Sequence, residues 1–489
     1  MSLQKKALSG VSWTFLEQFG SKAINFIVQI VLARLIAPEE FGLLGMILIF
    51  NAIGNSLSDT GMSQSLIRSD KPDEEDFSTV FSINFTISFL LYWIFFIIAP
   101  YISEFYEQPR LTDLIRVYSI VIIISSLFII QKTRLTYELN FKYQMKAQLP
   151  ALFLSGLTGI LLAYLDYGVW ALVYMQIVNG LFLTITYFLQ TRWIPNVKIN
   201  RSKLKEHFLF GYKLTLAGIM SRIVKNIFPM VIGKYYSAAM VGYYTRAFTM
   251  KELPVVTISN TLDKVVYPLL AKIKNDDRQL KAAYQKIQIL SLFVLSTIML
   301  LLILIAHPLF GFLLGEKWLP AVPFFQLLCI TGIFYPINKY NSNILKVKGR
   351  TDLYLKMAII VNITMVLGII VTVEYGIIPL ILAQVINSLI GVGINIYYAN
   401  QFIKYPYIEQ FVDAFKTALP GLISFALIFY LIEFYNIMKD FNYFLELLII
   451  GGLFMAILIS LHFLFRTRAL KEIHLILKLV PKGKMFGKS

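Results

Sequence analysis

Charge is scarce in this sequence. Of 489 residues only 15% are Asp, Glu, Lys or Arg, while 57% are hydrophobic and 15% aromatic. Soluble domains carry roughly a quarter charged residues. The shortage excludes a soluble enzyme built around a large core and points to an integral membrane protein. Cysteine is nearly absent too: Cys329 is the single one, set in an apolar run. No internal disulfide can form, and a thiolate metal site is disfavoured. The four histidines, His207, His307, His462 and His474, show no ligand spacing. Also missing are the phosphate-binding Gly-Lys-Ser/Thr loop, the His-Glu-x-x-His metal motif and the Gly-x-Ser-x-Gly elbow. No catalytic residue, metal or cofactor is therefore expected, and the chain reads as a non-enzyme. Acids number 28 against 45 bases, a net charge of +17. The bases cluster in short loops between apolar runs, which is the loop bias of a membrane protein, not a nucleic-acid surface.

The apolar runs predict an all-α integral membrane fold of about fourteen spans. They fall near 12–37, 41–66, 77–102, 111–132, 147–165, 168–190, 208–233, 240–268, 284–306, 321–345, 354–373, 376–400, 416–435 and 443–465. Alternate loops differ sharply in charge. One set holds Lys5, Lys6, Arg68, Lys71, Lys132, Arg134, Lys142, Lys146, Arg192, Arg201, Lys203, Lys272, Lys274, Lys346, Lys348, Arg350, Lys404 and the basic tail from Arg466. The other holds little beyond Arg110, Lys234, Lys317 and Lys439. This asymmetry places both termini in the cytoplasm and supports an even span count. Met1 to Gly10 runs straight into a polar-striped helix without a small-residue cleavage site, so no cleavable signal is expected. Two basic segments, Asn200–Phe208 and Leu470–Val480, suit helices lying on an anionic membrane face, the first as a linker before span seven. A solvated basic end describes the second equally well.

The chain repeats itself. Asp166, Tyr167, Gly168, Leu172, Gln176 and Asn179 recur in register as Glu374, Tyr375, Gly376, Leu380, Gln384 and Asn387. Ser21, Lys22, Val31, Arg34 and Gly42 recur as Ser221, Arg222, Val231, Lys234 and Gly242, and Asp59 matches Asp263. Each copy holds an even number of spans, so both share one orientation, related by an axis along the membrane normal. The reading is two pseudo-symmetric six-helix lobes in a parallel repeat, an N-lobe at 1–200 and a C-lobe at 201–405. Two C-terminal helices follow over 406–466, then a basic cytoplasmic tail at 467–489.

The first span is not cleanly apolar. Gln18, Lys22, Asn25 and Gln29 recur at helical spacing, with Glu17 and Ser21 widening the stripe, and Phe15, Phe19, Ala23, Phe26, Ile27 and Ile30 form an apolar face set opposite. A charge at mid-bilayer costs at least about 2.5–3.5 kcal/mol and turns to protein or water. The stripe is expected to face an internal cavity. It leads through Arg34 into Pro38, Glu39, Glu40, Phe41 and Gly42; the second span ends in Asp59, Gly61, Leu66 and Ile67. These two elements resemble the polysaccharide-transporter branch of the MATE/MOP superfamily, the Wzx-type flippases of lipid-linked oligosaccharides, and within it the colanic-acid and teichuronic-acid exporter group. Gly315, Glu316, Lys317 and Trp318 resemble the same relatives, and Trp318 is expected to anchor an outer loop in the membrane. The resemblance covers the whole chain. It implies two six-helix bundles with two added helices, located in a bacterial cytoplasmic membrane.

The remaining chemistry is cationic. Span seven repeats the stripe of span one as Gly218, Arg222, Lys225 and Pro229. Lys22, Asn25, Arg222, Lys225, Arg246, Lys251 and Lys339 are expected to bind an anionic head group in the inter-lobe cavity, with Arg34 at a helix end as a further contact. Arginine grips phosphate as a fork and lysine as a point charge. A pyrophosphate joining undecaprenol to a sugar chain fits that set. Glu17 and Glu252 are placed to neutralise part of it; Asp59 and Asp263 read either as helix-end turns or as a gate. Glu17 or another buried acid would carry a coupling proton or sodium ion, a choice the sequence leaves open. Asn179, Asn387, Gln176 and Gln384 are expected to hold helices together. The partners implied are the bilayer and undecaprenyl-pyrophosphate oligosaccharide, with no nucleic acid, acting as a monomer that can associate with polymerase machinery. A cation-coupled drug exporter would need a cavity rich in acids. A lipid II flippase shares the cationic requirement and is the nearest competitor. A membrane glycosyltransferase would need a large outer loop, and the longest here, near Tyr101–Arg110 and His307–Pro320, are short.

Overall fold

The computed structural model describes residues 3–196, 199–435 and 441–472. The described chain is helical, with no strand among the described residues. Its long helices are α1 (Leu3–Leu35), α2 (Pro38–Asp59), α3 (Glu74–Phe105), α4 (Leu111–Tyr137), α5 (Phe141–Tyr164), α6 (Val169–Thr191), α7 (Arg201–Tyr235) and α8 (Ala238–Lys272). They continue as α9 (Asp277–Leu304), α10 (Val322–Val347), α11 (Thr351–Thr372), α12 (Ile377–Ile403), α13 (Tyr407–Tyr435) and α14 (Tyr443–Leu464). Among the described residues, twelve helices are long and apolar enough to cross a membrane. The two long helices outside that set are α1 and α8. Both carry mid-helix polar and charged residues: Glu17, Lys22 and Asn25 on one, Arg246, Lys251, Glu252 and Asp263 on the other. The expected fourteen spans thus become twelve by apolarity, because the two exceptions hold much of the candidate site.

Two compact units divide the chain, Met1–Gly242 and Tyr243–Ser489. In the first, α1 lies along α5: Gly20 meets Leu149, and Gly156 meets Val28. This corrects the face assignment for α1. Seven residues are two helical turns, so Phe15 lies beside Lys22 and not across from it. Gly20 and Val28 mark the packed face, to one side of the stripe, while Phe15, Phe19 and Ile27 are exposed, as residues facing lipid would be. Asn179 Nδ2 donates to Ser155 Oγ (3.2 Å), tying α6 to α5. In the second unit the repeat partner Asn387 accepts from Thr364 Oγ1 (2.7 Å), tying α12 to α11. Gln384 accepts from the Tyr244 hydroxyl at 3.0 Å. Each repeat-equivalent asparagine thus ties its helix to a hydroxyl of the preceding one, as donor in the first unit and acceptor in the second. The second unit is centred on Leu270, Tyr284, Tyr340, Ile344 and Tyr405. Beside it, α13 and α14 pack on α9 through Leu300, Ile428, Phe454 and Leu458.

The start of α2 crosses the start of α8 at contact distance. A Cβ on Gly42 would run into the Ala238 carbonyl, and one on Gly242 into the Pro38 carbonyl. Pro38 and Gly42 stand 200 residues before Ala238 and Gly242. The close approach is thus reciprocal between residues at equivalent positions of the sequence repeat. Both glycines are needed for this backbone-to-backbone approach.

Ion pairs join loops of like parity. Arg110 reaches Glu40 in a fork (2.7 and 2.9 Å), and Glu40 also accepts from the Val169 amide (2.7 Å), joining the ends of α1–α2, α3–α4 and α5–α6. At the other end Arg134 pairs with Glu74 (2.8 Å), and Lys348 pairs with Asp277 (2.7 Å). Helices that alternate in direction across a membrane produce this pattern. The segment Asn200–Phe208 differs from expectation. It is not a separate surface helix but the first turns of α7, capped by Asn200 and fixed by buried His207, which bonds Ser65 (2.8 Å) and Asp76 (3.2 Å). The amphipathic segment expected at Leu470–Val480 lies outside the described residues beyond Glu472.

Candidate functional site

The Asp59 end of α2 builds a polar cavity. Helix α2 stops where Thr60 and Gly61 both take left-handed backbone angles. Gly61 is required there, because its positive φ suits glycine and the turn presses on the Gly211 backbone of α7. A short helix, Met62–Arg68, then turns back. Between these pieces, α4 and α7 lies a cavity of about 390 Å³. Asn55, Ser56, Ser58 and Asp59 line it from α2, Gln64 from the short helix, Ser125, Phe128 and Ile129 from α4, and Leu214, Thr215, Gly218 and Arg222 from α7.

Two of the expected site residues meet here. The Asp59 carboxylate accepts from the Ser63 hydroxyl. Arg222 is the cation whose charge acts on it. Lys225 follows Arg222 by three residues and so lies on the same face of α7, and both are exposed within the helix. On α1, Lys22, Asn25 and Arg34 are exposed as well. Exposed charges in the middle of such helices cannot be left in hydrocarbon, so these side chains need an aqueous or ligand-filled space. Glu17 behaves differently. Its charge neighbour is Lys132 on α4, and it in turn acts on Tyr187 of α6, which puts it on the packed side of α1 and outside the exposed stripe.

The candidates of the second unit are largely matched within it. Lys339 pairs with Asp263 at 2.5 Å, linking α10 to α8, and lies 3.3 Å from the Tyr335 hydroxyl. Lys251 pairs with its neighbour Glu252 at 2.6 Å and sits over the Phe248 ring. Arg246 is buried with its guanidinium 5.2 Å from the centre of the Trp318 ring. Trp318 is itself fully buried, edge-on to Tyr243. It is therefore neither a membrane anchor nor an open sugar platform: the short 3₁₀ segment Glu316–Ala321 turns it inward onto Arg246. In the first unit Lys234, the helix-end counterpart of Arg34, pairs with Glu107 at 3.1 Å.

The sequence reading missed the cavity's neutral residues. Asn55, Gln64, Ser125 and Thr215 look like ordinary helix polar residues until α2, α4 and α7 are brought together. Gly218 was a usable signal, a glycine at the register of the polar stripe. Among the described residues no group of three or more His, Cys, Asp or Glu could hold a metal ion.

Comparison with known proteins gives the chain's relatives. The chain matches the family described as "Polysaccharide biosynthesis protein" over residues 31–323. It is 25% identical over 435 residues to the teichuronic acid biosynthesis protein TuaB of Bacillus subtilis, spanning 87% of this chain and 89% of that one. It is 23% identical over 444 residues to the lipopolysaccharide biosynthesis protein WzxC of Escherichia coli, spanning 87% and 88%. Among solved structures it resembles the lipid II flippase MurJ in an inward closed conformation, with a TM-score of 0.71 at 18% identity, covering 94% of this chain and 100% of that one. A multidrug-resistance MATE transporter in an inward-facing conformation gives a TM-score of 0.57 at 16% identity, covering 78% and 96%. At these identities the structural likenesses establish a shared fold.

Proposed function

From the premise that the chain belongs to the polysaccharide biosynthesis protein family, we propose that it is a flippase, a multi-pass membrane protein that moves lipid-linked oligosaccharide units across the cytoplasmic membrane for cell-surface polysaccharide assembly. The observation that carries the reading to a site is the exposed cationic stripe of α7, Arg222 and Lys225, repeated on α1 as Lys22. A pyrophosphate linkage offers several anionic oxygens to such a stripe, and arginine takes them two at a time. The lipid tail stays in the bilayer while the head group passes these cations. Undecaprenyl pyrophosphate is the carrier we assign. Asn25 and Arg34 extend the path on α1. Arg246, Lys251 and Lys339 belong to it in the second repeat, and they reach substrate by leaving the partners they hold here. The relatives' names favour the polysaccharide branch over lipid II transport and drug export.

Alternating access of the kind seen in repeat-built transporters is the proposed mechanism. The substrate must bind the two states unequally to shift them. Asp59 is the gating group on this reading, because it and the incoming anion compete for Arg222. Asp263 plays that part in the second repeat through Lys339. An ion gradient supplies the drive, and Glu17 is the acid we put forward as its carrier. The protein performs no covalent chemistry, works as a monomer and keeps both termini in the cytoplasm.

The test is flipping of a fluorescent undecaprenyl-pyrophosphate oligosaccharide in proteoliposomes, with and without a proton or sodium gradient. Loss of transport in Arg222→Ala and Lys225→Ala, with folding and insertion intact, supports the cationic path. Full transport in both single variants and in the double variant removes these residues from it.

A further inference from the structure

Arg222 can meet an anion from the Lys225 side, but the interior of the cavity beside Asp59 is the wrong place for a phosphate and the wrong place for a metal ion. Asp59 would repel the first and Arg222 the second. Its other polar groups are neutral: the amides of Asn55 and Gln64 and the hydroxyls of Ser125 and Thr215, each able to donate and to accept. A ligand matched to an acceptor-only carboxylate, a donor-only guanidinium and a ring of groups that do both is a neutral polyol. Phe128 adds an apolar ring for the C–H face of such a molecule. The volume of about 390 Å³ lies within the roughly 300–1,000 Å³ of small-ligand pockets.

Gly218 gives an independent sign that this space is kept open. At Gly42, Gly61, Gly211 and Gly242 an added Cβ would strike backbone of another segment. At Gly218 it would meet Ser56 Oγ at 3.8 Å, an ordinary contact, with nothing else within 4 Å. Packing does not demand glycine there, and glycine within a helix costs roughly 0.5–1 kcal/mol relative to alanine. What glycine leaves is room in the cavity.

We infer that this cavity is a sugar subsite that reads the first monosaccharide after the pyrophosphate, with Asn55, Asp59, Gln64, Thr215 and Arg222 as its specificity-determining residues. The inference rests on the flippase reading above. Arg222 joins the two regions: it lines the cavity, and Lys225 stands on its own face of α7 in the direction away from the cavity residues Leu214, Thr215 and Gly218. A pyrophosphate held at Lys225 thus places its sugar at Arg222. A site ringed by polar groups discriminates between sugars, because a sugar lacking the right hydroxyl leaves its partners unpaired.

The experiment measures equilibrium binding of detergent-solubilised full-length protein to undecaprenyl pyrophosphate alone and to the same lipid carrying glucose, galactose or N-acetylglucosamine. The wild type is expected to prefer at least one sugar-bearing lipid by roughly tenfold or more over the bare lipid. Gly218→Leu fills the cavity and is expected to abolish that preference. Gln64→Ala, a truncation at an exposed position, is expected to reduce it several-fold, which keeps the test alive if the leucine variant misfolds. Lys225→Ala is expected to weaken bare and sugar-bearing lipids alike. A preference that survives in both cavity variants overturns the subsite and leaves the flippase reading intact. So does a wild type that binds all four lipids equally. A wild type that binds none of them overturns the flippase reading itself, and the subsite with it.

Discussion

Removing the Glu40 carboxylate should cost the first unit more than breaking its ion pair. Glu40 accepts three bonds, two from the Arg110 fork and one from the Val169 amide at the start of α6. The Arg110 side chain is 52% exposed, so its pair is worth at most about 1 kcal/mol after screening. Val169 is fully buried, and no other residue is seen to accept from its amide. An orphaned buried donor costs about 1–3 kcal/mol. Glu40→Ala should therefore lose about 1–4 kcal/mol and Arg110→Ala no more than about 1 kcal/mol. Glu40→Gln keeps an oxygen for the amide and should resemble Arg110→Ala. Thermal unfolding of purified protein in detergent, followed by tryptophan fluorescence, should separate Glu40→Ala from the other two. Equal melting shifts for Glu40→Ala and Arg110→Ala would refute the assignment, because the amide would then have no need of the carboxylate.

Gly42→Ala and Gly242→Ala should each lower the melting temperature by the equivalent of about 1–3 kcal/mol from overpacking, while Gly451→Ala, with open space around it, should be neutral or slightly stabilising. Unchanged melting in the first two would mean that the crossing of α2 and α8 yields easily. Lys339→Ala should destabilise through the unpaired Asp263, and adding Asp263→Asn should recover much of the loss; additive losses in the double variant would contradict the pair. Asp73, outside the spans, is held down to about 2 from its ordinary 3.8 by its bond from the Lys203 ammonium. Its carboxyl is depressed in the folded state, so its contribution is present above about pH 4 and lost as pH falls through about 2. Hydrogen exchange over the first turns of α7 should accelerate across that window in the wild type and change less in Asp73→Asn.

The repeat was legible because it is written twice. Asn179 and Asn387 could be read as helix ties from their equivalence, and each bonds the helix before it. Gly42 and Gly242 were legible as equivalent, but not as marking a close crossing: a glycine's equivalence does not say what backbone it will meet. The stripe of α1 was legible from spacing, yet the apolar residues set opposite it were misplaced, because apolarity does not distinguish a lipid-facing Phe15 from a helix-facing Val28. Trp318 illustrates the general difficulty in a membrane protein. Aromatic residues at span ends suit the interface, the interior and a binding surface equally well. Only the 3₁₀ turn that swings Trp318 beneath Arg246 decides among them.

The cavity beside Asp59 was hidden for a different physical reason. Its polar residues come from α2, α4, α7 and a short helix, and no single helix carries enough of them to form a stripe. Charged residues announce themselves in a hydrophobic sequence because their burial is so costly; hydroxyls and amides do not. An anion site is therefore easier to read from sequence than a neutral sugar site. In a protein that must recognise both halves of one substrate, the cations identify the class of molecule carried. The neutral residues, visible only once the helices are assembled, determine which member of that class is accepted.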